Sequence, residues 1–248
     1  AEPDPTMDVS GMDAAQKLAI LCRIAFHSTG TGSDVFCEGI ERIEASDIEY
    51  ARELGYAIKL LAIAKQQGGQ VEARVHPAMV PMDSLLANIH DEFNAIQVQG
   101  SAVGPQVFYG RGAGQMPTAS AVVSDMVELV ERKVAGAGTA IGDMILGEEA
   151  VSISSVENIE MRYFLRALVQ GQPGVLERIA RILAEERISI ASVLQKEADE
   201  EAQSAEIVLM THRASEAAVL FRHGLSDLLK TWRRPGRTVD GGGGEDYL

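Results

Sequence analysis

MRYFLRALVQGQPGVLERIARILAEERISIASVLQKEADEEAQSAEIVLMT (residues 161–211) alternates strand-like and helix-like apolar runs, and the order of those runs restricts the architecture. Met161 to Val169 predicts a strand. Gln170 to Gly174 (QGQPG) is a βα turn with proline close to the helix start, and Val175 to Glu186 predicts a helix. Ile188 to Gln195 and Ala205 to Thr211 predict two further strands, and Ser215 to Lys230 a second helix. The order β-α-β-β-α is four-fifths of a ferredoxin-like split βαβ unit. Its fifth element should fall in TWRRPGRTVDGGGGEDYL (231–248), which carries four consecutive glycines and few apolar residues. Such a composition buries too little surface to offset chain entropy, so a disordered tail is expected over 233–248.

Upstream, the small-residue run AGAGTAIGDMILG (135–147) suits a linker, placed at 136–158 between a first region, 1–135, and the ferredoxin-like unit, 159–232. In the first region, apolar residues of helical period predict a helix from Met12 to Ala25. Ser46 and Glu49 form a capping-box pair before a short helix that Gly55 ends in a left-handed conformation. Ile58 to Ala64 and the alternating Val71, Ala73 and Val75 predict two strands around a Gly68-Gly69 turn. Phe93 to Gln99 and Gln106 to Tyr109 predict two more, and Pro117 to Val134 a long helix. The fold class is therefore α/β of the α+β type: a mixed sheet with helices, followed by a ferredoxin-like βαββα(β) domain.

The chain has 248 residues with 22 basic and 36 acidic, a formal net charge of −14 that repels phosphate backbones and argues against nucleic-acid binding. No apolar run approaches the ~20 residues of a spanning helix, and the acidic start is unlike a signal peptide, so a cytoplasmic protein without membrane partners is expected. Cys22 and Cys37 are read as free thiols, and the five histidines have no metal-ligand spacing, so no metal site is expected. His76 is read as a surface or hydrogen-bonded residue.

Two segments could carry chemistry. AEPDPTMDVSGMDAAQK (1–17) gathers Glu2, Asp4, Asp8 and Asp13 and sets Lys17 four residues after Asp13, one helical turn away. By spacing alone this is either an exposed ion pair worth about 0.3–0.5 kcal/mol or a site. Two prolines and a glycine hold these carboxylates on a rigid approach to a helix, where a Lys could donate a proton to a carbonyl oxygen. FYGRGAGQMPTASAVVSD (108–125) runs from a strand through Gly110, Gly112 and Gly114 into a helix, either a plain turn or an anion cradle of backbone N–H groups. It lacks the spacing of a dinucleotide fingerprint.

Taken together, residues 1–17, GIERI (39–43), DIEYARELGYAIKLLAIAK (47–65), VHPAMVPMDSLLANI (75–89) and 108–125 resemble the homoserine dehydrogenase family. Residues 161–212 resemble an ACT regulatory domain through PGVL (173–176), ISIASVLQK (188–196) and EIVLMTH (206–212). The resemblance implies reversible reduction of L-aspartate 4-semialdehyde to L-homoserine by NADPH or NADH, on the route to threonine, methionine and isoleucine. It makes Lys17 the proton donor, assisted by Asp13, and gives Glu2, Asp8 and Asp13 the substrate. It brings Gly114 to the NADP or NAD cofactor, whose main binding domain would lie outside residues 1–248. Gly174, Val175 and Leu176 would meet an effector such as L-threonine, although Gly171 stands where the family usually has Asp or Asn. A homodimer or higher homo-oligomer is implied, with the strands from Ile58 to Val75 as the candidate interface. These residues alone would be inactive or severely impaired. The alternative is an amino-acid-binding regulatory or oligomerisation module without catalysis.

Overall fold

The computed structural model describes residues 4–136, 151–156, 159–170, 172–195, 204–216 and, as backbone, 229–238. In chain order the elements are α1 (Thr6–Val9), α2 (Met12–Phe26), β1 (Phe36–Cys37), α3 (Ala45–Glu53), β2 (Tyr56–Gln67) and β3 (Gln70–Pro81). There follow β4 (Phe93–Gly100), β5 (Gly104–Arg111), α4 (Gln115–Val134), β6 (Glu160–Gln170) and α5 (Val175–Glu185). The series ends with β7 (Ile190–Gln195), β8 (Ser204–Thr211), β9 (Ala214–Ser215) and β10 (Leu229–Thr238).

Strands β2 and β3 form a twelve-rung antiparallel hairpin from Tyr56↔Pro81 to Gln67↔Gln70, closed by Gly68 and Gly69 at φ +59° and +78°. Two consecutive left-handed residues match the right-handed strand twist, and glycine takes them without steric cost. Val71, Ala73 and Val75 face α2, which lays Ala15, Leu18, Ala19 and Cys22 upon them. Residues expected in the linker also join this core: Val151 and Ile153 bridge to Ser28 and Val71 in parallel, and both pack against the cluster. The small-residue composition that suggested a linker over 136–158 takes no account of these two β-branched anchors.

The second unit has strand order β10-β6-β8-β7, all antiparallel, which is the arrangement of a complete ferredoxin-like sheet. The sheet is covered on both faces, and the strand period of two sorts its side chains. Tyr163, Leu165, Ala167 and Val169 with Ile207 and Leu209 meet Ile179 and Leu183 of α5. Phe164, Val208 and Met210 meet Tyr50 and Ala51 of α3, together with Met79. The first region thus supplies the second cover for the ferredoxin-like sheet.

The tail expectation needs correction. Residues 229–238 form β10, antiparallel to β6 and parallel to β3 at Arg237↔Ala78 and Thr238↔Met79. Two open strand edges supply the hydrogen bonds that a composition argument does not count. Pro235, which has no N–H to donate, falls inside the register shift between Arg233 and Gly236. The helix expected over Ser215 to Lys230 has Ser215 in β9 and Leu229 and Lys230 in β10, while 217–228, like 239–248, lies outside the described residues.

Residues 93–134 project as an arm. Among the described residues strands β4 and β5 pair only with each other, braced by the stacked rings of Phe93 and Tyr109 at 5.0 Å and by Arg111 over Phe93 at 5.5 Å. Helix α4 buries none of its residues.

Candidate active site

The acidic segment is built by local hydrogen bonds and then pinned to the sheet. The Asp4 carboxylate accepts the Thr6 hydroxyl at 2.5 Å and the Thr6 N–H at 3.0 Å, starting the single turn of α1 and holding the Asp4 carboxyl below its usual range. Gly11 follows at φ +80° as the N-cap of α2. A Cβ there would come within 3.0 Å of Val75 and 3.1 Å of the Cys37 sulfur, so glycine is required both for its dihedral and for the close approach. Cys37 Sγ donates to Ser10 O at 3.2 Å, and Ile40 N donates to Val9 O at 2.9 Å. The corner between α1 and α2 is fixed from beneath while its polar face stays open.

On that face Lys17 Nζ donates to Asp13 Oδ2 at 2.5 Å, with the two side chains 68% and 40% exposed. Asp8 lies one short helix earlier and is exposed. The structure pairs Asp13 with Lys17 on α2 and leaves Asp8 exposed on the preceding α1, and Glu2 lies outside the described residues. In chemical terms the corner offers an ammonium donor beside carboxylates that suit a substrate ammonium.

Gly114 sits on a different element, the arm, where it N-caps α4 at φ +125°. Only Pro117 lies near a Cβ built there, so the dihedral and not crowding reserves the position for glycine. The first turn of α4 carries neither a side-chain cap nor an acidic residue. Open N–H groups of this kind fit a phosphate or carboxylate. In the ferredoxin-like unit Gly174 N-caps α5 at φ +89°, Val175 packs into the core beneath, and Leu176 is exposed. Gly171 lies outside the described residues.

Sequence reasoning missed a charge cluster built on a buried arginine and a buried aspartate. Arg166 on β6 donates through Nε to Asp47 at 2.5 Å, through Nη2 to Glu44 at 2.5 Å and through Nη1 to Glu206 at 2.7 Å. The Tyr50 hydroxyl donates to the other Glu206 oxygen at 2.6 Å. Burial opposes the guanidinium charge, but the hydrogen bonds to Asp47 and Glu44 outweigh it and hold Arg166 charged well above the usual range. Burial followed by Glu206 pushes the Tyr50 phenol up. Asp47 is fully buried, so loss of Arg166 alone would strand its carboxylate, at a typical cost of about 3–5 kcal/mol. The signal was legible: an arginine inside the apolar run FLRALV (164–169) has to find partners.

Asp47 also corrects the helix cap. Its Oδ2 accepts the Glu44 N–H at 2.8 Å, so the reciprocal cap belongs to Glu44 and Asp47, two residues before the Ser46 and Glu49 expected from the motif. Gly55 ends α3 at φ +85° as expected. His76 is buried, its Nε2 accepting Arg74 Nε at 3.1 Å and its Nδ1 lying 3.0 Å from Pro77 O.

A family model described as homoserine dehydrogenase matches residues 1–127, the segment that holds the Asp13–Lys17 corner and Gly114. The chain belongs to the homoserine dehydrogenase family. An ACT domain model matches residues 163–220. The homoserine dehydrogenase of Pseudomonas aeruginosa is 41% identical over 222 residues, which are 88% of this chain and 51% of that protein. That of Corynebacterium glutamicum is 43% identical over 222 residues, 88% and 48% of the two chains. The chain spans about half the length of the curated relatives it matches. The crystal structure of a homoserine dehydrogenase from Thiobacillus denitrificans superposes with a TM-score of 0.85 at 38% identity, covering 98% of this chain and 56% of that one. Family membership implies a nicotinamide cofactor. Among the described residues no helix is long and apolar enough to cross a membrane.

Proposed function

We propose that these residues are the substrate-handling and regulatory portion of a homoserine dehydrogenase, which interconverts L-aspartate 4-semialdehyde and L-homoserine. The observation that carries the reading is the Lys17–Asp13 pair, exposed on a corner whose backbone is pinned by Gly11, Cys37 and Ile40. A bound nicotinamide cofactor, NADP or NAD, supplies or accepts the hydride. As the aldehyde is reduced, negative charge develops on its oxygen, and the Lys17 ammonium donates the proton there. Asp13 fixes the position of Nζ, and with Asp8 and Glu2 it binds the amino-acid end, so that substrate binding orients the reacting carbon. The open first turn of α4 at Gly114 would hold an anionic part of the cofactor. We infer a homo-oligomer, dimeric or higher, from membership of the family, and a cytoplasmic location from its biosynthetic role.

The ACT unit supports amino-acid control of this activity, with L-threonine the first effector to try and the turn at Gly174, Val175 and Leu176 the first place to look for it. The test is steady-state oxidation of L-homoserine by the complete natural chain that contains these residues, with NADP+ and NAD+ in parallel. Turnover with either is expected. Amino-acid binding by calorimetry with no turnover would replace the reading with that of a regulatory module.

A further inference from the structure

The mechanism above leaves unused the charge cluster around the buried pair Arg166 and Asp47, and its position between two units of the fold gives it a task. Asp47 divides its carboxylate: Oδ1 accepts Arg166 of the regulatory sheet, and Oδ2 accepts the N–H of Glu44 and so caps α3. Glu44 in turn reaches back to Arg166 with its side chain. Only three residues separate Glu44 from Ile40, and that stretch is a closed turn in which Ile43 N donates to Ile40 O at 3.0 Å. Ile40 N donates to Val9 O, the last residue of α1. Beside it Gly39 lies so close to Val9 O and Ser10 Cα that a Cβ would overlap them. Glu38 N donates to Val75 O at 2.8 Å and ties the same strand of chain to β3.

We propose that Arg166 is a positioning residue for the substrate corner. Through Asp47 and the N-terminus of α3, it holds residues 39–44 against Val9 and Ser10, and thereby fixes the segment that carries Asp8, Asp13 and Lys17. The regulatory sheet is then wired to the substrate segment by one guanidinium, one helix cap and one turn. A displacement of β6 reaches Val9 without passing through the long hairpin. Contiguous bonded routes of this kind modulate coupling between sites by amounts that correspond to a few-fold to about thirtyfold in an equilibrium constant. The proposal rests on the assignment of the corner as the homoserine site.

The test uses the complete natural chain with four variants: Arg166→Met, Arg166→Lys, Arg166→Met combined with Asp47→Asn, and Glu44→Gln. Arg166→Met is expected to raise KM for L-homoserine about fivefold, with KM for the cofactor unchanged. Arg166→Lys keeps the charge, but one ammonium cannot span Asp47, Glu44 and Glu206 together, so KM for L-homoserine should rise by an intermediate amount, about two- to threefold. Loss of folded enzyme would lower apparent kcat in proportion and leave KM where it was, so the KM split separates positioning from simple destabilisation. An unchanged KM for L-homoserine in both Arg166→Met and the double variant overturns the proposal. Should the Arg166 variants fail to fold, Glu44→Gln decides by hydrogen exchange. The Ile40 amide should exchange about tenfold faster than in the parent, because its support through residues 41–44 is weakened, and unchanged protection overturns the proposal. If the parent itself shows no turnover, the functional reading fails, and the exchange comparison still tests the mechanical link on its own.

Discussion

Helices α2 and α4 both present a stripe of apolar residues at helical spacing, yet they meet opposite surroundings. Helix α2 places Ala15, Leu18, Ala19 and Cys22 on the β2–β3 hairpin, whereas Val122, Val123, Met126 and Val130 of α4 are all more than half exposed. Periodicity therefore forecasts a helix and its apolar face, but not whether the same stretch of chain supplies the cover. An exposed apolar helix of this length marks a surface that function or assembly uses. The regulatory sheet is the contrasting case, because α5 and α3 cover its two faces and it depends on the first region for one of them.

That contrast can be broken or sharpened by substitution. Phe164→Ala, on the face shared with α3, should cost about 3–5 kcal/mol in urea unfolding, and a loss below about 1 kcal/mol would show that the two units do not share a core. Leu18→Ala under α2 should cost roughly 3 kcal/mol, again read from the denaturation midpoint. A smaller effect comes from Cys22, whose thiol is pushed by burial from about 9 up to about 11. The folded chain keeps this proton in a range where the unfolded chain releases it, so the contribution is complete below about pH 9 and is lost as pH rises towards 11. Unfolding midpoints measured between pH 8 and 10.5 should fall more steeply in the parent than in Cys22→Ala, and equal slopes would refute the assignment. Least of all, Val123→Glu on α4 should change stability by no more than about 0.5 kcal/mol in residues 1–248. A large loss there would show that α4 is covered in solution and would remove the contrast between the two helices.

The parts of the fold legible in the sequence are those where local pattern and tertiary role agree. The Gly68-Gly69 hairpin, α2 and the β-α-β-β order follow from residues that satisfy their own neighbours. Strand β10 did not show itself, since its partners are the edges of β3 and β6, sixty or more residues away in the chain and invisible to composition. At the site, Asp13 and Lys17 were legible because the i, i+4 spacing creates the contact by itself. Arg166 was legible as an arginine set in the apolar run FLRALV (164–169), but its partners Asp47 and Glu206 were not, since the cluster exists only after two units dock and each carboxylate taken alone reads as a solvated charge. The misplaced cap has the same origin, for Glu44 is fixed by Arg166 from the other unit as well as by its own helix.

The most direct test of the account is the turnover number of Lys17→Ala in the complete natural chain, compared with the parent at saturating L-homoserine and cofactor. Loss of a positioned general acid predicts a fall in kcat of about 10²–10⁴-fold, with a native far-UV spectrum and unchanged unfolding midpoint, because the Lys17–Asp13 pair is exposed. A kcat equal to that of the parent would contradict the account and return the pair to an ordinary surface ion pair.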